Sequence, residues 1–157
     1  MIAPSTETAA ARIRAASQGD LPAVERLLTA SQLPLDGVRE SFTDFIVAES
    51  NGDIVGAAGL EICRDDALLR SVAVHTDWRG KGVGRALVTR AIADAEARGI
   101  NALYLLTTTA EHYFPTLGFS KVTRDDVPAD VRATKEFTTA CPDSAVAMKR
   151  ALRTPQG

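Results

Sequence analysis

The chain has 157 residues, 45% of them hydrophobic, and its 18 basic against 20 acidic residues give a formal net charge of −2 at pH 7. That length suits one domain with a core of its own, and the near balance of charge gives no electrostatic reason to expect nucleic acid as a partner. The polar opening MIAPSTETAA lacks the basic start and apolar run of a signal peptide, and no later stretch reaches the ~20 apolar residues of a membrane span. We therefore expect a frayed or disordered tail over residues 1–10, a single domain over residues 11–157, and a cytoplasmic protein with no membrane partner. Cys63 and Cys141 lie far apart without metal-ligand spacing, so two thiols and no metal are expected.

Residues 11–16 (ARIRAA) alternate weakly and read as an edge strand stopped by Gly19. Asp20 is a good helix cap, and Pro22 is tolerated in a first turn, where its missing N–H costs nothing. Val24, Leu27 and Leu28 then form an apolar face at helical spacing. Pro34, Asp36 and Gly37 break the pattern, so residues 31–40 form a loop or broken helix leading through Phe42 into a strand from Phe45 to Glu49. Asn51 and Gly52 are a strong hairpin signal before the next strand, DIVGAAGLEIC, and the turn CRDD reverses the chain again. In the strand that follows, ALLRSVAV, alternation puts Leu68, Arg70, Val72 and Val74 on one face and Leu69, Ser71 and Ala73 on the other. Arg70 thus interrupts an apolar face. Counting back through the turn brings Glu61 opposite Leu68, within diagonal reach of Arg70. Two readings of that arginine stay open: an ion pair with Glu61 that fixes the register, or a guanidinium aimed into a cleft to hold an oxyanion.

The strand end runs on through VAVHTDWRGKGVG, in which Arg79 is followed by three alternating glycines, Gly80, Gly82 and Gly84. From Val83, the residues Leu87, Ala91 and Ala95 recur every fourth position with Val88 and Ile92 beside them, which is an amphipathic helix ended by Gly99. ALYLLTT (Ala102 to Thr108) is nearly all apolar, as a strand covered on both faces should be. AEHYFPTLG reads as a short helix with Pro115 in its first turns, Phe119 starts another strand, a short helix begins at Pro128, and a last strand runs from Ser144 to Met148.

Glycines at a helix start leave backbone N–H groups open to an anion that the helix dipole also attracts. A Walker loop needs Lys followed by Ser or Thr after its last glycine, and Gly84 is followed by Arg85 and Ala86. The dinucleotide fingerprint fails as well, since neither register starting on these glycines ends on one. What remains resembles the coenzyme A loop of the GNAT N-acetyltransferase superfamily, carried here by Arg79, Gly82 and Gly84. YFPTLGF, about thirty residues further on, resembles the second family fingerprint, an aromatic helix ending in Leu-Gly-Phe.

The resemblance implies an α/β (α+β) GNAT fold: a mixed, mostly antiparallel central sheet of six to seven strands, splayed at its centre and flanked by about four helices. It implies acetyl-coenzyme A as cosubstrate, held by the backbone of Val72, Ala73 and Val74 and by Arg79, Gly80, Lys81, Gly82, Val83, Gly84, Arg85 and Phe114. The chemistry implied is direct attack of an amine on the thioester in a ternary complex. Such a reaction needs a base, an oriented donor for the carbonyl oxygen and optionally an acid for the thiolate. Glu61 is the first candidate base and His75 the second, although His75 also suits a turn. The family often has a tyrosine four residues before the glycine of Leu-Gly-Phe; here that position is Phe114. Tyr113 is adjacent but about 100° round a helix. Either Tyr113 reaches through a distortion at Pro115, or the thiolate leaves without a protein acid.

LLRSVAV, YLLTTTAEHYFPTLGF, VRATKEF and CPDSAVAMKR together resemble the N-acetyltransferases of arsenic-resistance operons, relatives of the phosphinothricin acetyltransferases. That resemblance implies a small anionic amino acid, arsinothricin, as acceptor. Arg70, Ser71, Arg132 and Lys135 are then candidates to bind it, with Thr134, Glu136 and Phe137 on the same loop as the last two. Leu35, Val38 and Phe42 are either acceptor contacts or ordinary core. Homodimers are common in the family. Acetylation of another amino acid, amine or peptide terminus, and a non-catalytic acetyl-coenzyme A-binding module, remain alternatives.

Overall fold

The computed structural model describes residues 11–108, 110–140 and 145–152, so the expectations for the N-terminal tail, Ser144 and Cys141 lie outside the described residues. Seven strands form one sheet: β1 (Arg12–Ala15), β2 (Phe45–Ser50), β3 (Asp53–Cys63), β4 (Asp66–Val74), β5 (Ala102–Thr107), β6 (Ser120–Val122) and β7 (Val146–Ala151). Their order is β1-β2-β3-β4-β5-β7-β6. Every pairing is antiparallel except β4 with β5. Helices α1 (Leu21–Ala30), α2 (Val83–Ala97) and α3 (Ala129–Arg132) and a π-helical segment, Glu136–Ala140, complete the mixed α/β architecture among the described residues.

Hydrophobic patterning decides which faces are covered. Val83, Leu87, Val88, Ala91, Ile92 and Ala95 of α2 are buried against Ile46, Ala58, Leu60, Leu69, Leu103 and Leu105 on one side of the sheet. On the other side α1 packs Val24, Leu27 and Leu28 on Phe45, Val47, Ala57 and Ala73. Val131 of α3 covers Leu68, Ala102, Tyr104 and Ala147. Asp20 stands at the N-cap of α1 without capping it through its side chain. Its carboxylate instead accepts from Arg14 at 2.8 Å and from the Ser17 N–H at 2.8 Å, and the Arg14 bond holds its pKa down at about 2.

Two departures from regular sheet geometry shape the middle of the molecule. Gly59 pairs with Arg70 and Ala57 with Ala73, so Ala58 alone faces both Ser71 and Val72. The extra residue is a β-bulge, and Ser71 adopts φ +60° to make it. The bulge corrects the strict alternation expected for this strand: Leu68 packs towards α3, whereas Val72 and Val74 lie on the α2 side. Second, β4 pairs with β5 only from Asp66 to Leu68, opposite Ala102 to Tyr104, and beyond that point the two strands part. The expected helix at AEHYFPTLG is a four-residue 3-10 turn, Phe114–Leu117, and the last strand runs past Met148 to Ala151.

Candidate active site

Where β4 and β5 separate, a cavity of about 860 Å³ opens. Its walls are Leu69 to Val74 of β4, Leu105 to Thr107 of β5, the loop residues Leu33 and Pro34, the glycine-rich turn, Tyr113, Phe114 and Glu136. Past Leu68 the β5-facing edge of β4 has no ladder partner among the described residues, so backbone polar groups there are open to a ligand rather than to a neighbouring strand.

At the Val74 end the chain makes a 3-10 turn, Thr76–Trp78, capped by His75, whose Nδ1 accepts from the Asp77 N–H at 3.1 Å. Arg79 folds back and donates from Nε to the Val74 carbonyl at 3.2 Å, and Lys81 Nζ sits 5.8 Å from the centre of the Trp78 ring. Gly82 is the N-cap of α2 with φ +85°, a left-handed conformation that a side chain would strain. The first N–H groups of a helix have no intrahelical partner, and here they follow a cap that has no side chain to cover them. Arg79 and Arg85 also line the cavity. The turn therefore fits a phosphate-bearing ligand, through open N–H donors, a helix dipole and two guanidinium groups.

Arg70 stands at the opposite end of this wall, its side chain 0% exposed. Nε donates to Ser71 Oγ at 3.1 Å, Nη1 to Glu61 Oε1 at 3.1 Å, and Nη2 to the carbonyl of Asp36 in the loop between α1 and β2. Nη2 also lies 3.5 Å from Glu136 Oε1. The ion pair with Glu61 is thus present, and Arg70 lines the cavity as well. Glu136 is 5% exposed. Burial pushes its carboxyl up to about 7; Arg70 pulls it down and Glu61 pushes it further up.

The other candidates divide between the cavity wall and elsewhere. Ser71, Val72, Ala73, Val74, Arg79, Gly80, Gly82, Val83, Gly84 and Arg85 line the cavity. Tyr113, the N-cap of the 3-10 turn, and Phe114, its first residue, both do. Phe114 is buried edge-on against Phe119, while Tyr113 is 38% exposed and burial raises its pKa above the usual phenol value. Glu61 and His75, the expected bases, are not on the wall: Glu61 is turned to Arg70 and His75 caps its own turn. Val38 and Phe42 are core under α1. Arg132 is exposed away from the cavity, and Lys135 bridges to Glu40 at 3.2 Å. Leu35 is exposed at 41%, and burial raises the Cys63 thiol to about 11, which leaves it protonated and unreactive. Glu136 could be placed by sequence only on a loop with other candidates; its pairing with Arg70 arises from the fold.

An acetyltransferase (GNAT) domain model matches residues 41–121. An uncharacterised N-acetyltransferase of Chlorobaculum tepidum is 29% identical over 98 residues, 62% of this chain and 63% of its own. An amino-acid acetyltransferase of Aeromonas salmonicida is 32% identical over 88 residues, 55% of this chain and 20% of the relative. The chain therefore matches less than two thirds of the length of these relatives. Among solved structures, N-acetylglutamate synthase from Neisseria gonorrhoeae, complexed with coenzyme A and N-acetyl-glutamate, superposes with a TM-score of 0.79 at 24% identity, over 92% of this chain and 35% of that one.

Two outcomes are expected from this geometry. Gly37 has φ +83°, and a Cβ there would stand 2.7 Å from Arg70 Nη1, which its partners hold in place. Gly37→Ala should cost about 2 kcal/mol or more, read as a lower denaturant midpoint; an unchanged midpoint would show that the guanidinium is free to move. Glu136 has a folded pKa of about 7 against an ordinary 4.5, so the folded chain binds the extra proton in that window. Its contribution to stability is full below about pH 4.5 and is lost as pH rises through about 7. Denaturation from pH 4.5 to 8 should show this fall in the wild type and a shallower one in Glu136→Gln; equal slopes would refute it.

Proposed function

The chain belongs to the GNAT acetyltransferase family, and on that basis we propose that it moves an acetyl group from acetyl-coenzyme A to the amine of a small amino acid. The observation that carries the proposal is the continuity of one cavity from the glycine turn to Arg70. One end suits phosphates, the middle is an unpaired strand edge, and the other end presents charged groups. The amino-acid acetyltransferase among the matched relatives supports the acceptor class.

In this reading the coenzyme's pyrophosphate is held by the turn from Gly80 to Gly84, with Arg79 and Arg85 as counter-charges. Its pantetheine arm takes up the open backbone groups of Val72 to Val74, as an added strand would. An N–H of the same strand edge stabilises the negative charge that grows on the thioester oxygen. Tyr113, kept protonated by its raised pKa, is the donor for the departing thiolate, in place of the hydroxyl that Phe114 lacks. The acceptor's carboxylate lies towards Arg70 and Ser71, whose remaining hydrogen-bonding capacity orients the amine.

The narrower form of the proposal takes a small anionic amino acid, arsinothricin, as acceptor. Its support is the sequence resemblance. Arg70 lines the cavity but is already paired with Glu61 and Glu136, and Arg132 and Lys135, off the cavity wall, would have to turn inward to meet a second anion. A second reading, a coenzyme-binding module without turnover, is favoured by one observation, the phenylalanine at position 114.

Gly82→Val should weaken acetyl-coenzyme A binding at least 100-fold by calorimetry while circular dichroism shows a folded protein, and retained affinity would sink the assignment of the turn. Release of free thiol from acetyl-coenzyme A should be fastest with an amino acid among glutamate, phosphinothricin, arsinothricin and a simple alkylamine. Tight coenzyme binding with no turnover on any of them selects the binding module, and preference for the alkylamine rejects the amino-acid acceptor.

A further inference from the structure

The reaction above leaves one requirement unassigned. An acceptor amine arrives as an ammonium ion at neutral pH and cannot attack until a proton is removed. We propose that Glu136 is the general base of the transfer, receiving the ammonium group at the Arg70 end of the cavity and taking its proton; this rests on the acetyltransferase reading.

Position comes first. Among the described residues lining the cavity, Glu136 is the sole carboxylate, and no histidine lines it. Glu61 binds Arg70 from β3 without reaching the wall, and His75 caps a turn off the wall. Charge comes second. Arg70 brings one positive charge, Glu61 and Glu136 two negative ones, and all three stand within one ion-paired cluster. Lys135, next to Glu136 in the chain, is turned out to Glu40, and Asp36 contributes a carbonyl rather than its side chain to Arg70. The buried cluster thus carries a surplus carboxylate, which a bound ammonium group neutralises. Third, a carboxyl raised to about 7 is matched to accepting and releasing a proton near neutrality.

The steps balance. The carboxylate takes one proton from the ammonium, the freed nitrogen lone pair forms the N–C bond at the thioester carbon, and the C–S bond breaks with its electrons on sulfur. The second nitrogen proton passes to the thiolate, directly or through Tyr113, giving free thiol and amide. The proton on Glu136 returns to solvent.

The test compares wild type, Glu136→Gln and Glu136→Asp with the best amino-acid acceptor. Glu136→Gln should lower kcat at least 100-fold with acetyl-coenzyme A affinity within about twofold of wild type, and Asp should restore part of the loss. Wild-type kcat/KM for the acceptor should rise through about pH 7, a rise absent from the Gln variant. A Gln variant within threefold of wild-type kcat, or with the same pH profile, overturns the proposal. If the wild type binds acetyl-coenzyme A and acetylates no amine, the acetyltransferase reading has failed separately, and the ammonium site is judged by ¹³C-carboxyl NMR. There Glu136 should titrate near neutrality and shift downward when glycine is added. Titration in the ordinary range near ~4, or indifference to glycine, overturns it.

Discussion

A buried guanidinium is the constraint on which the centre of this molecule depends. Arg70 is always charged and wholly removed from water, so leaving its donors unpaired would cost several kcal/mol. The fold meets that demand from four separate parts of the chain. Ser71 supplies a hydroxyl from the bulge itself, Glu61 a carboxylate from β3, Asp36 a carbonyl from the loop after α1, and Glu136 a second carboxylate from the segment before β7. The loop after α1 and the segment before β7 are therefore positioned by one side chain as well as by packing. Breaking a buried pair by deleting one partner costs about 3–5 kcal/mol because the remaining charge is left uncompensated, so no member of the cluster is easily removed alone.

The bulge at Ser71 and the parting of β4 from β5 act together. The bulge switches the phase of β4, so that Arg70 stays on the α3 side while Val72 and Val74 meet α2. Had the alternation continued, Val74 would not contact the start of α2, and the glycine turn would leave the strand in a different direction. Parting then turns one strand edge from a ladder into a wall. A sheet thereby yields a cavity at its centre without an inserted loop, and the backbone groups that would have been paired become the means of holding a ligand.

Much of this was legible in the sequence wherever a local rule governs. Asn51–Gly52 marked the β2–β3 hairpin, the four-residue recurrence from Val83 marked α2, and counting through the CRDD turn placed Glu61 opposite Leu68, which is the observed register. The rest depends on three-dimensional accidents that no local pattern encodes. Ser71 has no residue-type signature for a positive φ, so the face reversal after it was invisible. Asp20 has the composition of a helix cap and is instead recruited by Arg14, a partner brought close by the strand. Glu136 lies among cations in the sequence, and burial with Arg70 is what alters its acidity.

The two ends of the cavity are made of different material. Around Gly82 the contacts come from main-chain N–H groups and a helix terminus, whose geometry is nearly independent of which side chains surround it. Around Arg70 they come from the side chains of Glu61, Ser71 and Glu136 and from one carbonyl of the loop after α1, so two connecting segments that share no element with the glycine turn take part. Such a division lets the two ends of the cavity change independently. A change at Leu33 or Pro34, which line the cavity from the loop after α1, alters the wall there and leaves the backbone geometry of the glycine turn as it is.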